Sequence, residues 1–242
     1  MKPYYDHAGI TIFHGDCRDV LPLIGASGAF ITDPPYLTAE SDLSRFTSLR
    51  RADGSSCSEI PYQPATAELL SDLCALADSY CSGFFVCFND FEGVVAVRAA
   101  IAKQANLNST SAVGCWFRGL GLILPAGRNT TACKDLEFLA IAKHRDYRDP
   151  RDRRSFFQTP QATPSGQFVV GGKPLGLMIE IVGSYSRNEE TVIDPFAGAG
   201  TTLLAAKELG RHAIGVEMDE GRCEIAAKRL SQEVMNFDEV AR

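Results

Sequence analysis

The sequence predicts a doubly wound α/β domain with a mostly parallel sheet, and three observations carry that expectation. Short apolar runs of strand length alternate with helical patterns, as they do when helices cover both faces of a sheet. Two of those runs stop abruptly in turns rich in Pro or Gly, at Asp33-Pro34-Pro35-Tyr36 and at Asp194-Pro195-Phe196-Ala197-Gly198-Ala199-Gly200. A chain of 242 residues, 45% hydrophobic, is long enough to bury one such core. It shows neither an internal repeat nor a separate linker.

In chain order, 10–13 reads as a strand, a short helix follows through Val20 and Leu21 with Pro22 weighing against it, and 28–32 is a buried strand running into Asp33. Periodicity lapses from 37 to 65, a stretch rich in Ser with Arg45, Arg50 and Arg51; so long an interruption in a compact domain is functional or disordered. A helix over 66–78, a strand over 84–88 and a helix over 92–104 follow, then strands near 111–117 and 136–142. Residues 144–172 are again irregular. Pro174 suits a first helical turn and opens a helix through Val182. A strand over 191–193, a helix over 200–209 stopped by Gly210, a strand over 213–216 and a helix over 222–235 complete the chain.

Composition excludes several classes. No run of eighteen apolar residues exists to span a membrane, and the N-terminus lacks a secretory apolar stretch, so a cytoplasmic location is expected. Eight cysteines include no C-x-x-C pair and sit largely in apolar runs, so reduced thiols are expected and no metal site. The net charge of -6 does not advertise a polyanion partner, but affinity for one depends on local charge, and the arginines are clustered.

The two turns carry the chemistry. Strand, Asp194-Pro195-Phe196-Ala197-Gly198-Ala199-Gly200, then a helix opening at Thr201-Thr202 is the geometry of a nucleoside-binding, Rossmann-like half. Glu217 ends the next strand seventeen positions after Gly200, where a carboxylate accepts from ribose hydroxyls; Met218 follows it. No Lys stands where a P-loop needs one. At the other turn, Pro34 and Pro35 offer carbonyls without N–H groups. Asp33 and the Pro34 carbonyl can both accept from one exocyclic amino group, with Tyr36 stacked on the ring that bears it. Each turn alone also reads as a plain tight corner. Together they point to methyl transfer onto an amine, by positioning and acceptor electrostatics without covalent nucleophile or metal.

These residues resemble those of the amino-methylating, S-adenosylmethionine-dependent DNA methyltransferases, and the motif order resembles their circularly permuted β class. The resemblance implies that Asp33, Pro34, Pro35 and Tyr36 form the catalytic turn. It implies a cofactor site from Asp194, Pro195, Phe196, Ala197, Gly198, Gly200, Thr201, Thr202, Glu217 and Met218, with Asp33 beside it. Asp16 and Cys17 match the segment that contacts the cofactor adenine, and Lys173 the segment beside its methionine part. Asp rather than Ser at the first position favours adenine N6 over cytosine N4; a silent DNA-binding regulator is the reading from another class.

Double-stranded DNA would then be the partner, with the target base flipped out of the stack. Residues 143–154 hold six Lys/Arg against three Asp where this class places target recognition, nominating Arg145, Arg148, Arg151, Arg153 and Arg154 as DNA contacts. A solvated loop of mutually paired charges is the alternative. Arg45, Arg50 and Arg51 would close over the DNA from the 37–65 loop. So short a recognition region suggests a homodimer.

Overall fold

The computed structural model describes residues 1–25, 28–37, 64–117, 136–159 and 172–232. Arg45, Arg50 and Arg51, and all but the ends of the 37–65 loop, lie outside the described residues.

Strands β1 (Tyr5–His7), β2 (Ile10–His14), β3 (Ala29–Thr32), β4 (Phe84–Asn89) and β5 (Leu107–Ser109) come from the first half of the chain. β6 (Gly114–Phe117), β7 (Leu136–His144), β8 (Phe156–Gln158), β9 (Val192–Asp194) and β10 (Ala213–Glu217) follow. They form one sheet in the order β1-β2-β10-β9-β3-β4-β7-β6-β8, with β5 also on β7. From β2 to β4 every pairing is parallel, and β7 runs antiparallel to β4. β3 and β4 are buried at every position, which explains why both read as unbroken apolar runs rather than alternating ones.

The helices are α1 (Cys17–Ile24), α2 (Ala67–Tyr80), α3 (Phe91–Ile101), α4 (Leu175–Tyr185), α5 (Thr201–Glu208) and α6 (Glu220–Ser231). Four begin at a side-chain cap of the type that satisfies free N–H groups: Asp16, Thr66, Asp90 and Asp219. Helices α1 to α3 pack one face of the sheet through Leu21, Leu70, Leu73 and Val97, while α4 to α6 cover the other through Met178, Ile181, Leu203 and Leu230. This is the doubly wound arrangement the alternation predicts.

Three details differ. β1, β5 and β8 are three residues long, too short for a period-2 signal, and escape a pattern-based reading. β8 draws part of the irregular 144–172 stretch into the sheet beside β6. Pro22 lies inside α1 without ending it.

The topology fixes where a site can form. From β3 the chain moves through α2 to β4 on one side; from β9 it moves through α5 to β10 on the other. β3 and β9 are neighbours, with Phe30 opposite Ile193. The winding therefore reverses between them, and the carboxyl ends of such a strand pair open into the crevice where α/β proteins bind ligands.

Candidate active site

Both turns singled out in the sequence leave those two neighbouring strands. Thr32 Oγ1 donates to Asp194 Oδ1 at 2.9 Å, tying the end of β3 to the end of β9. The Asp-Pro-Pro-Tyr corner and the Phe-Gly turn thus lie side by side.

After β9 the backbone folds tightly. Asp194 Oδ1 also accepts from Phe196 N at 3.1 Å, Ala197 N donates to Val216 O at 2.9 Å, and Gly200 N donates to Ala197 O at 2.8 Å. Two glycines make this possible. Gly200 has φ +78, and a Cβ there would stand 2.9 Å from Ala226 Cβ on α6. Gly198 has φ +51 and faces open space: a Cβ there would find nothing nearer than Phe196 O at 4.0 Å. A flat ligand can therefore approach the backbone at Gly198. Thr201 and Thr202 are buried in the first turn of α5, and Arg229 donates to Thr201 Oγ1 at 3.2 Å from behind.

Glu217 ends β10 alongside this turn. Its Oε2 accepts from Gly198 N at 2.8 Å and its Oε1 from Asp219 N at 2.9 Å, so the carboxylate is oriented before any ligand arrives. Each oxygen keeps a second lone pair for a hydroxyl. Met218 follows and is 64% exposed, while its carbonyl meets His14 Nε2 at 3.0 Å.

Asp194 is 2% exposed and knots the turn from within. Burial lifts its carboxyl to about 6, and the hydrogen bonds from Thr202, Thr32 and Phe196 N only partly oppose that rise. Asp16 caps α1, accepting from Arg18 N at 2.9 Å and pairing with the Arg18 guanidinium at 2.6 Å; that hydrogen-bonded pair holds its carboxyl below the usual range. The Cys17 thiol is pushed up to about 12, chiefly by burial, and is therefore no nucleophile.

The reactive turn contains a group that no sequence motif brings together. Lys173, just before α4, reaches across to Asp33 Oδ2 as a hydrogen-bonded ion pair. Its Nζ also lies 3.2 Å from Tyr36 Oη and 3.3 Å from Glu137 Oε2 on β7. Tyr36 Oη donates to the same Glu137 oxygen at 2.7 Å. The rings of Phe88 and Tyr36 stand 5.0 and 5.4 Å from the ammonium. Lys173 is thus placed against the acceptors of the Asp-Pro-Pro-Tyr corner. Glu137 was missed, although a lone carboxylate in the apolar run Leu136-Glu137-Phe138-Leu139 is a visible anomaly. Asp33 Oδ1 is buried without a hydrogen-bond partner. Pro34 is buried and Pro35 and Tyr36 are partly so.

The arginine-rich stretch is knotted around Asp149. Arg151 pairs with that carboxylate at 2.7 Å, Arg187 reaches it at 3.5 Å and Arg153 pairs with it too. These guanidiniums, Arg151 first, hold the Asp149 carboxyl well below its usual range. Arg153 also lies over the Phe84 ring, and Arg148 donates to the carbonyls of Arg145 and Tyr147. Arg145 is exposed, and Arg154, with a side chain 75% exposed, is only loosely associated with Glu180 at 3.6 Å. Among the described residues no group of His, Cys, Asp and Glu has metal-ligand spacing, and no helix is long and apolar enough to cross a membrane.

Residues 140–228, which carry the Phe-Gly turn and Glu217, match the N6/N4 methylase family model, described as DNA methylase. The type II methyltransferase M.HindIII of Haemophilus influenzae is 52% identical over 69 residues, which cover 28% of this chain and 22% of that relative. Among solved structures, PvuII DNA methyltransferase, cytosine-N4-specific, superposes with a TM-score of 0.72 at 15% identity, covering 99% of this chain and 92% of its own. The complex of M1.HpyAVI with SAM superposes at 0.64 with 21% identity, covering 92% and 100% of the two chains. The 140–228 stretch is thus similar to the N6/N4 DNA methylase family model, and the doubly wound sheet shares its fold with solved DNA methyltransferases.

Proposed function

We propose that this chain is an S-adenosylmethionine-dependent DNA methyltransferase that acts on the N6 amino group of adenine. One observation carries the reading: an acceptor-rich Asp-Pro-Pro-Tyr corner and a glycine turn with an oriented acid occupy adjacent strand ends at the reversal point, joined by the Thr32–Asp194 bond. The complex of M1.HpyAVI with SAM and the methyltransferase M.HindIII support the cofactor and the methyl transfer by likeness, while the choice of adenine rests on Asp33.

The residues present fit such a cofactor. Gly198 leaves its backbone open, Glu217 presents oriented oxygens toward ribose, and the crevice gathers the carboxylates of Asp33 and Glu217. When bound, S-adenosylmethionine supplies a methyl carbon on sulfonium, which leaves as a thioether once the new C–N bond takes the nitrogen lone pair. The chain's own part lies on the other side of that bond. Asp33 and the Pro34 carbonyl accept the two amino hydrogens, which draws the lone pair out of ring conjugation. Tyr36 stacks on the base, and Asp33 receives the proton that the methylated nitrogen sheds. Because the amine becomes cationic as the bond forms, a fixed carboxylate stabilises the transition state more than the ground state.

The target base leaves the duplex to reach this corner. We propose Arg145 and Arg154 as DNA contacts together with Arg45, Arg50 and Arg51, and a homodimer as the source of the second half-site. Cytosine N4 is the second reading, favoured by the fit to the PvuII enzyme's fold and by the identical donor pattern of its amino group. Sequencing of plasmid DNA methylated by the protein, with detection of both modified bases, tests the proposal: N6-methyladenine at one site supports it, N4-methylcytosine replaces it, and an unmodified plasmid ends it. Asp33→Ala is expected to cut turnover at least about a thousandfold while cofactor affinity stays within about threefold, as loss of a transition-state acceptor does.

A further inference from the structure

Asp33, Tyr36 and Glu137 surround a single cation. The Lys173 ammonium has three N–H donors, and three acceptors lie within reach: Asp33 Oδ2, Tyr36 Oη at 3.2 Å and Glu137 Oε2 at 3.3 Å. The Phe88 and Tyr36 rings complete the enclosure, and the Lys173 and Glu137 side chains are only 11% and 7% exposed. Two carboxylates around one ammonium leave a net negative charge, which favours a cationic nitrogen over a neutral one.

The less buried acceptor of Asp33, whose side chain keeps 23% exposure, is already taken. Asp33 Oδ1 is sealed inside the protein, so the oxygen available to an incoming amine is Oδ2, and Lys173 is bonded to it. Substrate amine and Lys173 therefore compete for one atom. A second seat for the ammonium exists at Glu137 Oε2, 3.3 Å from Nζ where it stands, so rotation about the last side-chain bonds is enough to transfer it. Tyr36 Oη, which donates to that oxygen, keeps the seat in place.

We infer that Asp33, Tyr36 and Glu137 form a preformed cradle for a primary amine that gains positive charge, filled in the base-free protein by the chain's own Lys173. Glu137 is a positioning residue that takes Lys173 over when the amine enters. The inference deepens the proposed function and rests on it for the identity of the amine. The cradle itself is tested without it.

Lys173→Ala removes a propylammonium-sized group, so n-propylammonium is the probe. In that variant it raises the melting temperature saturably, whereas tetramethylammonium, which donates no hydrogen bond, does not. In methylation assays the same probe raises the KM for DNA and leaves kcat unchanged, because it occupies the place of the target amine. An ordinary structural ion pair gives the opposite sign: the probe would restore kcat, and that result overturns the inference. Absence of a melting shift overturns it as well. Lys173→Met keeps the stem in its packing and is expected to lower the KM for DNA about tenfold, while Glu137→Gln, which weakens the second seat, raises it about tenfold, each a shift of one hydrogen-bonded charge partner. An unchanged KM in both removes Glu137 from its role. A melting shift in Lys173→Ala together with a wild-type protein that methylates nothing would leave the cradle standing and refute the methyltransferase instead.

Discussion

Asp194→Asn separates what the buried carboxylate does to stability from what its shape does to the turn. The folded environment lifts this carboxyl from 3.8 to about 6, with burial the largest cause and the Thr202, Thr32 and Phe196 hydrogen bonds acting against it. A carboxyl whose folded pKa is raised binds more protons when folded than when unfolded, so ionisation costs stability as pH climbs through the window from about 4 to about 6. About two pH units at roughly 1.4 kcal/mol each put the full cost near 3 kcal/mol above that window. Asparagine keeps an oxygen for Thr32 Oγ1 and Phe196 N and never ionises. The variant should therefore match wild type near pH 4 and exceed it at pH 7.5. For a chain of this size about 3 kcal/mol corresponds to roughly 6–12 °C in melting temperature. Paired thermal melts across that range cancel every other titrating group, since both proteins share them. A gap independent of pH, or a variant less stable at pH 7.5, would show that the three donors hold the charge more firmly than burial opposes it.

Gly200→Ala forces a left-handed backbone onto a Cβ that meets Ala226 at 2.9 Å, and should destabilise by about 2–4 kcal/mol in chemical denaturation. Trp116→Phe deletes a bond from a 1% exposed ring to Thr159 O at 2.9 Å; a loss of about 2 kcal/mol with unchanged DNA affinity is expected, because the ring is core. Arg145→Ala and Arg154→Ala should each lower the slope of log affinity for DNA against log salt by about 1, as loss of one phosphate contact does. Arg153→Ala should leave that slope alone and lower the melting temperature, since this guanidinium serves Asp149 and Phe84.

Punctuation made the two site turns legible in the sequence. Pro34-Pro35 and Gly198-Gly200 announce where strands stop, and most helices follow a short capping residue such as Thr66, Asp90 or Asp219. What stayed hidden needs partners distant in the chain. Glu137 lies 101 residues from the tyrosine it binds, and Lys173 is 140 residues from Asp33. The sequence shows Glu137 as one charge among 30 acids and Lys173 only as a residue of the cofactor segment, so their meeting at Asp33 and Tyr36 stays out of sight. The arginine stretch holds both readings weighed from the sequence: Arg-Asp spacings of two and four residues let Asp149 take two arginines to itself, while Arg145 and Arg154 stay exposed. Charge counted along a segment records composition, whereas charge available to a phosphate is what remains after such pairing.

Under the proposed function, the same distinction bears on how one edge of the sheet could serve two ligands of opposite charge. Asp33, Glu137, Asp194 and Glu217 gather at this edge of the sheet with Lys173 among them, and the field is strong enough that Asp33 helps to raise the Asp194 carboxyl. A negative crevice of this kind attracts a sulfonium or an amine becoming cationic and repels DNA phosphates. In the proposed enzyme the phosphates would have to be held away from the crevice by arginines such as Arg145 and Arg154, leaving only the flipped base to enter. In that reading, spatial separation of the two charges, rather than the overall charge of -6, would set what the protein binds and where.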